Sequence, residues 1–323
     1  MAQEVRDAVV RFVRYWTSRG EVLLRRLLDS VGIPASKFYN WEKRMGKENR
    51  HNGKLPRRHW LRHWERRAIL DYQAEHPEVG YRQLTYMMLD ADVAAASPSS
   101  VYRVLKNDNR IGIRSAASQR KGEGFEQPSR GHEHWHMDVS YLNISGTFYY
   151  LCSILDGYSR YVVHWEIRES MKEVDVETVL QRARERHPES TPRIISDNGP
   201  QFMARDFKTF IRQSGMTHVR TSPYYPQSNG KIERWHGTLK RECIRPKTPL
   251  TIADARRVVG RYVKHYNEKR LHAGVGYVTP LDRLEGRDEA VWCERHRKLA
   301  MARAARREGQ WAPQHDTVGL EVS

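Results

Sequence analysis

The apolar residues change period at residue 133, and the order of periods from there on restricts the fold more than any other feature. WHMDVSYLNI and FYYLCSIL are strand-like runs joined by the short turn SGT. The turn DGYSR, residues 156–160, leads into a third run, YVVHWEI. Three such runs linked by tight turns predict an antiparallel meander. Beyond it, SMKEVDVETVLQRARERH gathers Val176, Val179, Leu180 and Ala183 on one helical face, and RIISDNG is a short apolar strand. A helix with Phe207, Phe210 and Ile211 follows, then the strand-like THVRTSP, the loop YYPQSNG and the long helix KIERWHGTLKRECI. A meander followed by alternating helices and strands predicts a mixed sheet flanked by helices.

The first 113 residues read as mostly helical. In VLLRRLLDSVGIPASKFYNWEKRMG a helix through Leu24, Leu27 and Leu28 stops at Val31-Gly32. A second starts near Pro34 and runs through Phe38 and Trp41. Two short helices across a glycine turn are the layout of a helix-turn-helix. RRAILDYQAEH, GYRQLTYMMLDADV and SPSSVYRVLKNDN give three more helices, the last opened by Ser97-Pro98. Between the two groups lies RRHWLRHWERR. Its arginines suit phosphate contact, and Trp60 and Trp64, spaced i,i+4, are expected in the core. The boundaries expected are a helix-turn-helix region at 1–56, a second helical DNA-binding region at 57–113, a linker at 114–132, the α/β core at 133–285 and a basic tail at 286–323. The tail's ERHRKLAMARAARREGQ is a helix candidate that either touches DNA or is solvated.

The formal charge of +17 favours a polyanionic partner, and nucleic acid is the commonest. Three scattered cysteines, Cys152, Cys243 and Cys293, argue against a disulfide framework and against CxxC zinc. No apolar run approaches the roughly 18 residues that span a bilayer, and the N-terminus lacks a secretory layout. The expected location is therefore the cytoplasm, with no membrane partner.

Three acids stand where strand or helix patterns would bring them together. Asp138 stands mid-strand in an apolar run, an expensive place for an unpaired charge. Asp197 ends a second strand at a glycine turn. Were those strands neighbours, about 4.8 Å apart, both carboxylates could bind one hard cation. Glu233 lies on the long helix, whose apolar face is Ile232, Trp235 and Leu239, while Asn229, Glu233, Gly237 and Lys240 form a separate stripe. Each acid also has an ordinary reading: Asp197 suits a turn, and Glu233 a helix surface. His132, His134 and His136 share the period of Asp138, but a hard-cation phosphoryl site wants oxygen ligands, so the histidines are set aside.

WHMDVSYL, SDNGPQF and SNGKIERWHGTLKRE, with 35 residues between Asp197 and Glu233, resemble the core of insertion-sequence DDE transposases. These are grouped with retroviral integrases in the ribonuclease-H-like superfamily. The resemblance covers about residues 133–285, including DGYSR, SPYYPQSNG and HYNEKRLHAGVGYVTPLDRL. It implies a five-stranded mixed sheet and a catalytic, metal-binding triad. Asp138 would bridge two divalent ions, Mg²⁺ or Mn²⁺, while Asp197 and Glu233 would each complete one site. Lys240 matches a basic residue that contacts terminal DNA. Asn198, Gln201 and Asn229 match positions that shape the site, and Trp135 packs ahead of the first acid. Lys37, Arg57, Arg58, Arg62, Asn229, Lys231 and Arg234 are the further DNA contacts expected.

The resemblance also implies a transposase that binds terminal inverted repeats and target DNA as a homo-oligomer. It would nick element ends with water and join them by attack of a 3′-hydroxyl. No Walker motif calls for ATP. The Cys/His zinc module of retroviral integrases has no counterpart here, and no sustained heptad zipper is present. Relatives are often assembled from two reading frames, so an upstream-frame product of the element is a further expected partner. The rival readings are a DNA-binding regulator on a decayed scaffold and a ribonuclease-H-like nuclease without joining activity.

Overall fold

The computed structural model describes residues 3–20, 22–47, 60–111, 127–220 and 229–308. The chain divides into two compact units, Met1–Arg57 and Arg58–Ser323.

The first unit holds α1 (Gln3–Ser18), α2 (Leu24–Val31) and α3 (Ala35–Lys43) around Val10, Val13, Leu28 and Phe38. α2 stops where Gly32 adopts φ +68°, a left-handed conformation that costs glycine little. Pro34 then caps α3 from an extended conformation. Arg6, only 2% exposed, reaches from α1 to the carbonyls of Arg44 and Lys47 at 2.8 Å each, satisfying groups that the end of α3 leaves open.

In the second unit α4 (His63–Glu75), α5 (Tyr81–Asp90) and α6 (Pro98–Asn107) pack around Ile69, Leu84, Met88, Val101 and Leu105. The Ser97 hydroxyl accepts the Ser100 N–H and caps α6. The tryptophan pair expected in the core is not there. Trp60 precedes α4, and Trp64 is 55% exposed. The inward positions of that turn belong instead to Glu65 and Ile69.

The sheet consists of β1 (His134–Ile144), β2 (Thr147–Asp156), β3 (Val162–Arg168), β4 (Arg193–Ser196) and β5 (Thr217–Arg220), in the order β3-β2-β1-β4-β5. β1, β2 and β3 form the antiparallel meander, and β4 and β5 add in parallel on the other side of β1. One face is covered by α7 (Glu173–Arg186), the short α8 (Pro200–Met203) and α9 (Arg205–Gln213). Trp135, Met137 and Ile154 meet Val179, Leu180, Phe202 and Phe207 there. The other face is covered by α10 (Gly230–Leu239), a π-helical turn (Lys240–Ile244), the single turn α11 (Arg245–Lys247) and α12 (Ile252–Glu268). Ile232, Trp235, Leu239 and Tyr266 pack there on Leu142, Leu151 and Leu155. α13 (Pro280–Leu284) and α14 (Asp288–Glu308) close the described chain. No described helix is long and apolar enough to cross a membrane.

The basic tail helix is not simply solvated. α14 lies against α4 and α5 with several of its cations paired, while Arg303 and Arg307 stay exposed. Arg295 forms a two-point pair with Asp90 at 2.8 and 2.6 Å, and Lys298 meets Asp92 at 2.7 Å. Arg306 clasps Glu65 at 2.7 Å with both side chains buried. Breaking a buried pair strands the remaining charge, so Arg306→Met should lower the unfolding free energy by about 3–5 kcal/mol. Glu65→Met together with Arg306→Met should recover most of that loss, as read by urea unfolding followed by circular dichroism.

Candidate active site

Alternation along β1 sends Trp135, Met137 and Val139 into the core beneath α7 and α9, and turns His136, Asp138 and Ser140 toward α10. β1 and β4 run parallel in one-to-one register, with His136 opposite Ile195. Carried two residues further, the same register sets Asp138 across from Asp197, just past the end of β4. Burial pushes the Asp197 carboxyl above the usual aspartate range, and the Asp138 charge pushes it the same way. The N–H of Gly199, donated to Asp197 Oδ1 at 2.9 Å, acts against that rise. A side chain at 199 would place its Cβ 3.0 Å from that same oxygen and 2.6 Å from Gln201 Nε2, so the Gln201 amide would have to move aside.

Asp138 is held at both oxygens. The Val139 N–H donates to Oδ1 at 2.8 Å, and His236 Nδ1 lies 3.4 Å from Oδ2. Lys240 donates to Ser140 Oγ at 2.7 Å, two residues further along the strand. Burial lowers the Lys240 ammonium from its ordinary value, and Arg245 adds to that, while Asp138 opposes both. Glu233 is exposed on the same side of α10, one turn before His236 and two before Lys240. Among the described residues no three His, Cys, Asp or Glu side chains converge into a metal-holding group. The two aspartates are brought together, and the glutamate stands on the helix beside them.

His236 was not singled out by the sequence, although its place three residues after Glu233 sets it on the stripe that faces β1. The remaining candidates are spread more widely. Asn229 is 4% exposed at the start of α10, and its amide faces the buried His136. Burial, with the charges of Lys231 and Arg160, drives His136 down to about 3, so the ring is neutral. Lys231 turns inward and donates to the Gly157 carbonyl at 2.9 Å, with burial and then Arg160 lowering its ammonium to about 7. Arg62 reaches the Ala305 carbonyl at 2.5 Å. Asn229 and Lys231 are thus tied into the fold, whereas Arg62 makes its contact from an exposed position. Arg234 and Asn198 are exposed, and Gln201 is half-buried. Lys37 is exposed too, its ammonium 5.1 Å from the Trp41 ring centroid. Arg57 and Arg58 lie outside the described residues, as does most of the linker. His132 accepts the indole N–H of Trp135 at 3.1 Å, a packing role.

The core is thus a five-stranded mixed sheet with helices on both faces, one carboxylate on its central strand and a second just past the end of the strand beside it. Two family profiles, each of the integrase core domain, match residues 128–226 and 214–280. The chain is 25% identical over 218 residues to the uncharacterized 39.2 kDa protein of insertion element IS476 from Xanthomonas euvesicatoria, covering 66% of this chain and 62% of that protein. It is 29% identical over 150 residues to the transposase for insertion sequence element IS904 from Lactococcus lactis, covering 46% of this chain. Only 59% of the IS904 protein is spanned. The magnesium complex of the HTLV-2 integrase catalytic core domain is similar in structure at a TM-score of 0.40 and 17% identity, covering 48% of this chain and 97% of that one. Over residues 128–280 the chain is thus similar to the integrase core domain, and it is similar to insertion-sequence transposases.

Two facing carboxylates with no cation between them repel. Asp197→Asn should therefore raise the melting temperature in EDTA by roughly 1–3 °C, measured by circular dichroism. An unchanged or lower value would mean that the Asp138–Asp197 repulsion is not felt by the fold.

Proposed function

We propose that the chain is a DNA transposase that nicks and joins DNA at a site made by Asp138, Asp197 and Glu233. The observation that carries this reading is the parallel register of β1 and β4, which sets two carboxylates side by side where each raises the cost of the other. Carboxylate oxygens are the donors that Mg²⁺ and Mn²⁺ prefer, so the donor chemistry fits a divalent metal centre. Asp138 and Asp197 would hold the metal jointly, with Glu233 as the third donor. Bound there, a pair of divalent ions supplies activation of an attacking oxygen and stabilisation of a leaving one at phosphorus.

The chain's own groups do the rest. The Val139 N–H orients the Asp138 carboxylate, with His236 Nδ1 3.4 Å from its other oxygen, and the Gly199 N–H orients that of Asp197. Lys240, leaning on Ser140, carries positive charge along the edge of the site toward an incoming phosphate. The exposed Arg234 adds a second cation on the same helix. In the first unit, α3 follows α2 across the Gly32 turn, an arrangement suited to laying α3 in a major groove with Lys37 on its outer side. Binding of terminal inverted repeats by these helices and pairing of two ends in a homo-oligomer complete the reading.

Strand transfer of a labelled element end with Mg²⁺ tests it. The wild-type chain should give both nicked and joined product. Asp138→Asn, Asp197→Asn and Glu233→Gln should each lose both steps by at least about a thousandfold and still bind the end. Cleavage retained in any one variant removes that residue from the metal site. Binding without cleavage by the wild type would favour a regulator, and cutting without joining a nuclease.

A further inference from the structure

Away from the carboxylates, the turn after β2 gathers positive charge that the field of Asp156 favours but that no carboxylate pairs directly. The Gly157 carbonyl accepts from Lys231 Nζ at 2.9 Å and also from the Arg160 guanidinium, so two cations converge on one neutral oxygen. The neighbouring acid is spent elsewhere. Asp156 Oδ1 accepts the His132 N–H at 2.8 Å, while Oδ2 accepts the N–H groups of Tyr158 and Ser159 and the Ser159 hydroxyl. Among the described residues no carboxylate lies within 4.0 Å of the charged nitrogens of Arg160, Lys231 or Arg234. Positive groups held this way repel one another, and an anion relieves the repulsion.

A cavity of about 290 Å³ opens beside the turn. Tyr158 and Arg160 form one wall, and Gly274, Gly276, Arg283 and Trp292 the other. Arg283 lies 4.2 Å from the Tyr158 ring centroid and 5.9 Å from that of Trp292, and its ion pair with Asp288 holds it there. Gly276 sits at φ +80°, where a Cβ would come within 2.5 Å of the Trp292 ring, so this wall must be bare backbone. The site thus combines a guanidinium with no direct carboxylate partner, a second one held by Asp288, exposed main chain and two aromatic rings. Its volume is at the small end of the range for ligand cavities, about 300–1,000 Å³, and suits one nucleotide unit better than a large molecule.

We infer that this cavity takes one phosphodiester of a bound DNA strand, with Arg160 and Arg283 on the phosphate and the Tyr158 and Trp292 rings against the adjoining sugar or base. The inference rests on the DNA reading of the preceding section. It assigns a contact outside the carboxylate site, and Lys231 links the two: it stands two residues before Glu233 and shares the Gly157 carbonyl with Arg160.

Phosphate contacts are blind to sequence, so a fluorescein-labelled duplex of arbitrary sequence with a single-stranded 3′ overhang is a sufficient probe. Anisotropy titrations of the full chain in EDTA, over a series of KCl concentrations, give affinity and its salt slope. Arg160→Gln should reduce the slope by about one and weaken binding at moderate salt about tenfold, while Arg160→Lys keeps the slope. Tyr158→Leu should weaken binding about fivefold or more with the slope unchanged, since a ring contributes no charge. Wild-type affinity and slope in both Arg160→Gln and Tyr158→Leu would overturn the cavity assignment and leave the DNA reading standing. A wild-type chain that fails to bind the probe at all would overturn the DNA reading itself, and the assignment with it. Addition of 1 mM AMP as competitor separates sources of the same chemistry. Unchanged DNA binding supports a strand contact, and displacement of the probe would identify a free-nucleotide site instead.

Discussion

The parallel pairing of β1 with β4 is the constraint on which the rest of the core depends. A parallel neighbour cannot be reached by a hairpin, so the chain must leave the meander and return through α7, which covers one face on the way. The register of that pairing equals the sequence separation of the two aspartates. A slip of one residue would send every side chain of β4 to the opposite face, burying Asp197 among the phenylalanines beneath α9. The apolar side prevents this: Trp135, Met137 and Ile194 are fully buried and fill that layer. The core residues therefore hold the repelling carboxylates together. Removing water from one face of the sheet offsets the cost of crowding charge at the end of the other.

α10 works by the same division of labour. Ile232, Trp235 and Leu239 fasten it to the sheet, and this fixes the direction of the opposite stripe, where Glu233, His236 and Lys240 stand within two turns. The helix widens into a π turn immediately after, at Lys240–Ile244. Such turns are uncommon and shift the residues that follow around the axis. Here Glu242 comes to face Arg270 at 2.8 Å and the Tyr262 hydroxyl at 2.7 Å, and these partners hold its carboxyl near 2 against the effect of burial. Cys243 and Ile244 return to the core. The network anchors the end of the stripe, so that Lys240 meets Ser140 from a fixed base.

Periodicity was sufficient for the elements, because strands and helices with one buried face write that face into the sequence. The meander, the buried face of α7 and the apolar face of α10 were all legible in this way. Pairings between distant acids and bases were not. Trp64 was assigned to the core on its spacing from Trp60, yet the inward position went to Glu65, whose partner lies on α14 more than two hundred residues away. Nothing local in RRHWLRHWERR announces that partner. His236 was invisible for a related reason: a histidine on a helix looks the same whether it faces solvent or a carboxylate on another strand. Lys231 shows the same limit, since nothing beside it in the sequence announces that it donates to the Gly157 carbonyl.

These cases change what the surplus of +17 can be taken to mean. Net charge argues for a polyanionic partner because the field of the whole chain steers it, but it assigns no place to that partner. On α14 the densest run of basic residues is largely spent on Asp90, Asp92, Glu65 and Glu294, and so contributes more to cohesion than to binding. Around Gly157 a few cations feel Asp156 only through its field, because its oxygens go to amides and a hydroxyl rather than to a direct ion pair. The better guide to a binding surface in a strongly basic chain is therefore local. It is the place where a fold that could have supplied a carboxylate uses the nearest one for something else.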